Sequence, residues 1–483
     1  MDARPGPTQT GTRHRRAVAS AQARALFAAA LVAALLSVLT VIRPAEAGAA
    51  QTVSTHQVTV RVPARASAVD TGVYLEAGEP FVISAAGEWT LVTDRKQYMA
   101  DADGAAYCVY EGRRLGVLLG RVAGLPGPAQ FALGTRAESR APASGVLYLM
   151  SNHPWWLRDR QQGELTVTVR GGRAATPELR SNSEEAELRA ARAAVLQRLN
   201  AVRQRMGLPA VDVVAALERA AQGHAKYADR HDYSHQERPD RAGFVGEYPW
   251  DRARAFGYVG GCGEVMAMEE GAEAALEMWL ASVYHRQFIT HPALSGIGFG
   301  LYGRVQVLNY ALAAAPLTER VAAYPPPDAQ EVPLSWPGLE LPSPIPEGAP
   351  TPVGYTVSAH FPAVVKAVHA LRLEDPHRGV VGCYARHRLS DAALSNSDAV
   401  FLLPRAPLQP GTTYRVSMAV ETARGPQEIA WSFTTSAEAE GARESAVLGP
   451  PSLTTMAADV RQGLLGPLAW LVGLTFGRGA VPT

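Results

Sequence analysis

Two histidines and one glutamate near the middle of this 483-residue chain are side chains that could do chemistry. His235 follows Ser234, Glu264 follows a glycine, and His285 lies six residues after Trp279. Two neutral imidazoles and one carboxylate are a ligand set of catalytic zinc sites, which keep a fourth position for water. Zinc lowers the pKa of such a water to about 7. The three residues are therefore candidate zinc ligands and candidate catalytic groups, with Glu264 as an alternative general base.

The spacing of these three residues does not by itself require a metal. No H-E-x-x-H or other short ligand pair on one helix is present. An alternative is that His235 and His285 both hydrogen-bond Glu264, because buried polar groups must be paired. Three interpretations stay open: a trio that satisfies itself, reversible binding of a divalent metal, and hydrolysis.

Other nucleophiles and ligands nearby have weaker support. Ser282 lies one helical turn before His285, but no G-x-S-x-G elbow accompanies it. Cys262 stands among glycines before Glu264, and we expect a packed or exposed thiol there and not a nucleophile. We expect His224 in the core. The spare candidate ligands are His231 and His291.

The elements that position these residues are predicted from apolar periodicity. Residues 171–184 have a linker composition, and Ser183 is predicted to cap the helix that follows. Apolar residues at helical spacing predict helices over 190–206, 215–230 and 265–281.

The order of the motifs S-H, G-E, W-x-x-S-x-x-H-R and G-I-G-F-G resembles the bacterial branch of the CAP superfamily. The resemblance implies an α-β-α sandwich over residues 185–315, with His235, Glu264 and His285 converging in a cleft. Ser282 stands where eukaryotic members have a second glutamate. Val265 stands where family members usually have an asparagine after the first glutamate. Both departures weaken the catalytic interpretation.

Two further residues of the motif are predicted to support the cleft without doing chemistry. Trp279 begins the W-x-x-S-x-x-H-R motif and Arg286 ends it. We expect Arg286 to pair with a carboxylate or to cap a helix end, which would hold His285 in register.

Residues 50–170 contain short β-branched runs separated by glycines, which predict β structure. The series D-T-G, G-E-W, A-D-G, L-G-R and G-V-L-Y-L is similar to that of the PA-I-like galactose-binding lectins, which are β-sandwiches. That resemblance implies a calcium and sugar site on the loop at 151–163, where Asn152 and Asp159 are the remaining oxygen ligands. Calcium takes six to eight oxygens, so we predict a degenerate sandwich that has another ligand or none. Trp155 and Trp156 could still form a platform on which a sugar ring stacks. The alternative is that both rings are partly buried.

The region after residue 315 is rich in proline. Ten prolines lie between Pro316 and Pro350, which predicts an extended linker or the start of the next module. Residues 351–436 carry L-x-P-G-T-x-Y-x-V and W-x-F-x-T, a pattern similar to that of bacterial Ig-like domains. Such a domain implies spacing or display, and no chemistry.

The N-terminal segment indicates export. Arginines precede an apolar run over 25–42, and Ala45-Glu-Ala47 follows as a cleavage site. We predict a signal peptide at 1–47 and an extracellular or cell-surface protein, with a retained membrane anchor as the alternative. The tail at 437–483 has a short apolar part, interpreted as a docking or interfacial segment, with a membrane anchor as the alternative. Membrane contact is expected only through these two segments.

Charge and cysteine content exclude two classes of protein. The formal net charge is +1, and no basic patch mixed with aromatic residues is present, which argues against nucleic-acid binding. Three cysteines more than 100 residues apart exclude a dense disulfide framework. We expect unpaired thiols at Cys108, Cys262 and Cys383. A Cys108–Cys262 bridge, a Cys262–Cys383 bridge and intermolecular pairing are the alternatives.

Together these features predict a multidomain α+β protein: a β-sandwich, an α-β-α CAP domain, and an Ig-like β-sandwich. We expect an exported ligand-binding or adhesion protein, and we expect binding more than catalysis. The alternatives are a secreted metal-assisted hydrolase of peptide or cell-wall material and a lipid or sterol carrier. Carbohydrate, cell-wall material and lipid are the partner classes. Zinc in the CAP cleft is the one cofactor considered, since calcium lacks ligands.

Overall fold

The computed structural model describes residues 53–437, apart from 67, 94–95, 111, 124–129, 154 and 269–270. The side chains at positions 155, 156 and 159 are also outside the description. The predicted signal peptide and apolar tail therefore lie outside the described residues. Among the described residues, no helix combines the length and apolar character that a membrane span needs.

In its described part, the N-terminal domain is built of antiparallel strands in two five-stranded sheets and one two-stranded ribbon. Its strands are β1 Gln57–Pro63, β2 Val69–Leu75, β3 Pro80–Val92, β4 Gln97–Ala100, β5 Val109–Tyr110, β6 Arg113–Arg114, β7 Leu118–Val122, β8 Gln130–Ala132, β9 Arg136–Arg140, β10 Gly145–Ser151, β11 Gln162–Arg170 and β12 Arg173–Ala174. The first sheet has the order β1-β11-β3-β4 with β9 paired to β3, and the second the order β12-β2-β10-β7-β8. A short 3-10 helix, Trp155–Arg160, precedes β11.

The main hydrophobic core of this domain receives side chains from both large sheets. Phe81, Trp89 and Leu165 come from the first sheet, and Leu75 and Leu147 from the second. More and less exposed side chains alternate along β1 and β2, as expected for sheets that bury one face.

Within the described residues, the central domain has five helices and a four-stranded sheet of order β13-β15-β16-β14. The helices are α1 Pro177–Arg205, α2 Ala215–Arg230, α3 Pro249–Ala255, α4 Ala272–Ala281 and α5 Arg286–Ile289. The strands are β13 Asp212–Val213, β14 Cys262–Met268, β15 Leu294–Tyr302 and β16 Val305–Leu312. β13 runs parallel to β15, and the other pairs are antiparallel.

Two elements of this domain differ from the prediction. Helix α1 begins at Pro177, inside the predicted linker, and its N-cap is Thr176, whose hydroxyl accepts from Leu179 N. Ser183 lies in the helix interior, and its hydroxyl donates to the Leu179 carbonyl. The helix predicted over 265–281 is instead β14 followed by α4, so Glu264 lies within a strand.

The glycines of the G-I-G-F-G motif let helix α2 lie directly on β15. A Cβ at Gly298 would lie 2.1 Å from the Glu218 nitrogen, and one at Gly300 would lie 2.4 Å from the Ala221 carbonyl carbon. Neither distance is compatible with a side chain. The motif therefore fixes how closely α2 approaches the sheet.

The C-terminal domain also consists of strands, in a four-stranded sheet, a five-stranded sheet and a two-stranded ribbon. They are β17 Ala322–Tyr324, β18 Ala329–Val332, β19 Ser335–Trp336, β20 Val353–Gly354, β21 Val357–His360, β22 Val365–Asp375, β23 Gly379–Val380, β24 Cys383–Arg386, β25 Ala399–Pro404, β26 Thr413–Thr422 and β27 Gly425–Thr435. The sheet orders are β17-β21-β25-β24 and β18-β27-β26-β22-β23, and the ribbon is β19-β20. A 3-10 turn occupies Ala392–Leu394.

The proline-rich segment is part of this C-terminal domain. Its strands β17 and β18 each join one of the two larger sheets, through β21 and β27 respectively. The central and C-terminal domains also share one continuous core, in which Leu199 and Trp279 lie in the same cluster as Tyr355 and Phe433. The N-terminal domain has a separate core.

Candidate functional site

Glu264 is the centre of a buried polar network. Its side chain is completely buried on β14. Oε1 lies 2.9 Å from His235 Nδ1, and Oε2 accepts a hydrogen bond from Arg252 Nη2 at 2.8 Å. Asn309, its partner across the β14–β16 ladder, donates to Oε2 at 3.0 Å when its amide is oriented to satisfy its neighbours. Both carboxylate oxygens are therefore engaged.

The charges around Glu264 keep it ionised. Burial alone raises the pKa of its carboxyl group, but Arg252, His224 and His235 together outweigh burial and lower that pKa to about 2. A carboxylate that is so weak a base, and whose oxygens are already occupied, is poorly suited to act as a general base. Its geometry is that of a group that orients His235.

A second buried carboxylate, Glu237, joins the network from the loop after α2. Its Oε1 lies 2.9 Å from His224 Nδ1, and its Oε2 accepts from Val245 N at 2.8 Å. His224 Nε2 lies 2.9 Å from the Ser234 carbonyl oxygen. Both ring nitrogens of His224 thus lie within hydrogen-bond distance of an oxygen acceptor. His224 is buried, as expected, and it is also a member of the polar network.

Arg252, on α3, connects the two carboxylates. Its guanidinium is fully buried, and Nε lies 3.7 Å from Glu237 Oε1. Nη1 donates to the backbone oxygens of His235 at 3.1 Å and Glu247 at 3.2 Å. Because a buried charge must be paired and hydrogen-bonded, this arginine compensates the glutamates and also fixes the loop that carries His235.

His285 belongs to a different pair. Its Nδ1 lies 2.5 Å from Glu340 Oε1 and 3.2 Å from Ser282 Oγ. Glu340, which comes from the proline-rich segment, is completely buried and also accepts from the backbone nitrogen of His285 at 2.9 Å. The alternative in which both histidines hydrogen-bond Glu264 therefore holds for His235 and is wrong for His285. His235 and Glu264 form the first His–Glu pair, and His285 and Glu340 form the second.

The predicted support residues hold the segment before His285. Trp279 is buried, and its Nε1 donates to the Met266 carbonyl at 2.9 Å. The Ser282 hydroxyl donates to the Trp279 carbonyl at 3.0 Å. Arg286 donates to the Ser282 carbonyl at 3.1 Å and to the Thr356 carbonyl at 3.0 Å. Arg286 thus caps the end of α4 and connects it to the C-terminal domain.

The donor set matches a zinc site only in part. In the described part of the chain, no three His, Cys, Asp or Glu side chains are grouped closely enough to hold a metal ion. The two histidines do have the second-shell arrangement typical of zinc ligands, because each Nδ1 faces a carboxylate. Zinc binding by His235, Glu264 and His285 therefore stays a prediction.

The spare ligands are engaged elsewhere. His231 Nε2 lies 2.9 Å from the Ala242 carbonyl oxygen. His291 Nδ1 accepts from Ala293 N at 2.9 Å, and its ring packs against His360 at a centroid distance of 4.5 Å. Neither contact involves the two His–Glu pairs.

In the N-terminal domain, Asn152 has a structural contact that the sequence does not reveal. Its side chain is buried, and its Nδ2 donates to the carbonyl oxygens of Tyr110 and Arg114, each at 3.0 Å. The neighbouring His153 is buried too, and burial lowers its pKa to about 4. The side chain of Asp159 lies outside the described residues. The amide of Asn152 therefore holds the loop before β7 in place.

Three residues of these networks were not found from sequence: Glu237, Arg252 and Glu340. Glu237 lies two residues after His235, so its closeness in sequence is a signal that could have been used. Arg252 follows a Pro-Trp-Asp helix start and carries no such signal. Glu340 is flanked by two leucines in a proline-rich segment, and its partner lies 55 residues earlier.

Comparison with known proteins identifies the central region. Residues 196–307 match the sequence model of the Cysteine-rich secretory protein family, CAP. No curated protein matches the chain.

Two solved structures are similar to parts of the chain. One is an extracellular protein containing an SCP domain from Bacillus anthracis str. Ames, at 22% identity and a TM-score of 0.26, covering 37% of this chain and 57% of that one. The chain thus spans less than two thirds of that structure. The other is the PllA-like lectin that forms the EclA N-terminal domain, at 25% identity and a TM-score of 0.19, covering 23% of this chain and 94% of that one. Residues 196–307 of this chain are therefore a CAP domain, placed between two domains built of β-strands.

Proposed function

We propose that this protein is an exported ligand-binding protein whose CAP domain contacts its ligand through His235 and His285. One observation carries the proposal: a completely buried glutamate holds Nδ1 of each imidazole. A neutral histidine that donates from Nδ1 has its lone pair on Nε2. The side chains of His235 and His285 are 41% and 19% exposed, so they are accessible from solvent.

A divalent cation, Zn²⁺ in the first instance, is the ligand chemistry that fits this arrangement. Neutral imidazole is a preferred zinc ligand, and a carboxylate on the opposite nitrogen raises its basicity. His235 and His285 would hold the ion, while Glu264 and Glu340 would orient them. The bound ion would supply positive charge that attracts an anionic group of a larger ligand.

Binding fits the surroundings better than hydrolysis does. The Ser282 hydroxyl is buried and lies on Nδ1 of His285, whereas a catalytic serine needs the opposite nitrogen. Cys262 is buried, and burial raises the pKa of its thiol to about 11, so the thiolate is scarce at neutral pH. Both glutamates of the His–Glu pairs are occupied as orienting groups.

A secreted hydrolase of peptide or cell-wall material is the second candidate. The observation in its favour is the first His–Glu pair. An exposed histidine whose Nδ1 donates to a buried carboxylate has the tautomer and orientation of a general base.

The flanking domains agree with an extracellular role. We propose that both are β-sandwiches, the N-terminal one lectin-like and the C-terminal one Ig-like, because each has two main sheets. Export through the segment at 1–47 would place them at the cell surface or in the medium. Carbohydrate, cell-wall material and lipid remain the partner classes.

Zinc titration by calorimetry tests the proposed function. Tag-free wild-type protein should bind Zn²⁺, and His235→Ala and His285→Ala should each weaken that binding. His369→Ala is the matched control, because His369 is an exposed histidine of β22 in the C-terminal domain. Equal zinc affinity in all four proteins would refute a metal role for the two histidines. Release of labelled peptide or cell-wall fragments by the wild type, lost in His235→Ala, would favour the hydrolase.

A further inference from the structure

The carboxylate that holds His285 comes from outside the CAP domain. Glu340 lies beyond the CAP match at residues 196–307 and beyond the last strand of the central sheet. Its Oε2 accepts from Val283 N at 2.8 Å. Its Oε1 accepts from Tyr284 N at 2.8 Å and contacts both the backbone nitrogen and Nδ1 of His285. One side chain thus binds four donors in three consecutive residues.

The backbone of Glu340 is held by the C-terminal domain. The strand β19, which ends four residues earlier at Trp336, pairs with β20. Trp336 packs in one cluster with Ile345, Val353 and Phe401. The position of the Glu340 carboxylate is therefore set by the fold of the C-terminal domain and not by that of the CAP sheet.

The same cluster receives side chains from the CAP domain. Val283 and Tyr284, whose backbone nitrogens donate to Glu340, pack in it beside Trp336. The Tyr284 hydroxyl donates to Asp391 Oδ2 at 2.8 Å. Arg286 donates to the Thr356 carbonyl, and its guanidinium stacks over Tyr324 at 4.6 Å. The residues on both sides of His285 are thus anchored in the C-terminal domain.

We propose that Glu340 is a positioning residue of the ligand site, through which the C-terminal domain completes the CAP domain. Glu340 fixes the ring orientation of His285 and keeps its proton on Nδ1. Ser282 cannot replace it, because a hydroxyl carries no charge and its two lone pairs cannot accept from all four donors. Docking of the C-terminal domain therefore sets the affinity of the site. This inference rests on the proposed function for His285.

The test compares two glutamate-to-glutamine variants of the full chain. Glu340→Gln keeps the shape of the side chain but has a single acceptor oxygen, so it cannot serve all four donors. Glu347→Gln is the matched control, because Glu347 is an exposed residue of the same proline-rich segment. Loss of an outer-shell partner lowers metal affinity about 10- to 100-fold, and we expect that loss in Glu340→Gln alone.

A second readout does not depend on zinc. With ¹⁵N-labelled histidine, the two neutral tautomers of His285 have different nitrogen shifts, and the His285→Ala spectrum assigns the signal. We expect the Nδ1–H tautomer in the wild type and in Glu347→Gln, and a mixture in Glu340→Gln. If zinc affinity is the same in wild type and His285→Ala, the proposed function fails, and the tautomer then decides the role of Glu340 by itself.

Unchanged zinc affinity together with an unchanged tautomer in folded Glu340→Gln would overturn the proposal. If circular dichroism shows that this variant does not fold, Glu340→Asp replaces it. Aspartate keeps the charge but withdraws the carboxylate by one methylene group. Glu340→Asp should lower the zinc affinity and give a mixture of the two neutral tautomers of His285. Wild-type values for both quantities would equally overturn the proposal.

Discussion

Arg252 donates to Glu264 across 2.8 Å, and both side chains are completely buried. The same guanidinium lies 3.7 Å from the buried Glu237. Replacing Arg252 by methionine keeps most of the volume but removes the guanidinium charge beside two buried carboxyl groups. Removing one partner of a buried ion pair costs about 3–5 kcal/mol. We expect a loss of that size in the free energy of unfolding of Arg252→Met, measured by denaturant titration.

Arg254→Met is the matched control for this prediction. Arg254 lies on the same helix, its side chain is 74% exposed, and its contact to Asp251 is 3.8 Å long. Surface substitutions of this kind change stability by less than about 0.5 kcal/mol. Equal stability of the two variants would show that the buried network does not depend on Arg252.

The glycine motif makes a separate prediction about packing. In Gly298→Ala, the new Cβ would lie 2.1 Å from the Glu218 nitrogen and 2.2 Å from the Leu217 carbonyl carbon. Both are backbone atoms of α2, so the helix must move away from β15. Overpacking of this kind costs about 1–3 kcal/mol, and we expect a decrease of at least that size in the free energy of unfolding.

Gly223→Ala in α2 is the control, since a Cβ there meets nothing within 4 Å. An alanine in a helix interior is more stable than a glycine by about 0.5–1 kcal/mol. We therefore expect opposite signs for the two alanine substitutions. Thermal melting of both variants would check this, and a stabilised Gly298→Ala would contradict the close approach of α2 to the sheet.

The pairing of His235 with Glu264 could be expected from sequence only through the resemblance to CAP proteins, since the residues are 29 positions apart. The pairing of His285 with Glu340 could not be expected. Its partner lies in a segment whose composition indicated a linker, and nothing in a proline-rich stretch shows which distant loop its one buried acid will reach. Long-range polar contacts depend on tertiary packing, which local patterns do not encode.

The two errors in element assignment have local causes. Residues 265–267 are buried on β14, and a short apolar run that is buried on both sides has the same pattern in a strand and in a helix. The start of α1 differs from the prediction because Ser183, which is followed by acids, has the sequence pattern of a helix cap. Thr176-Pro177 is the stronger signal, since threonine caps helices and proline suits their first turn.

The three thiols should react slowly in the folded protein. None of them forms a disulfide among the described residues, and Cys108 and Cys262 are buried. Burial also raises the pKa of the Cys383 thiol to about 12. A thiol reagent such as DTNB should therefore label folded protein slowly, and three groups per chain after unfolding. Rapid labelling of the native state, or fewer than three thiols after unfolding without reductant, would contradict this.

Because His291 and His360 are buried, we expect the protein to lose stability in mild acid. Burial is the main cause that lowers the pKa of His291 to about 4, and the positive charge of Arg203 adds to it. Burial, His291 and Arg203 lower the pKa of His360 well below its usual value, and neither ring nitrogen of His360 has a hydrogen-bond partner among the described atoms. In the unfolded chain both imidazoles titrate near pH 6.5. The unfolded state therefore binds more protons below that pH.

The sign of the effect follows from this difference in bound protons. The contribution of these two histidines to the free energy of unfolding is fully present above about pH 6.5. It decreases as the pH falls toward 4, by up to about 3 kcal/mol for His291 alone. His360→Leu removes one of the two groups and should reduce the slope of unfolding free energy against pH between 4.5 and 6.5. His369→Leu, at an exposed position of β22, should leave the slope unchanged. Denaturant titrations at several pH values would measure both slopes. A wild-type protein equally stable at pH 4.5 and 7 would mean that these imidazoles are not buried in the folded state, and the packing of the central domain against β21 would then have to differ from that described.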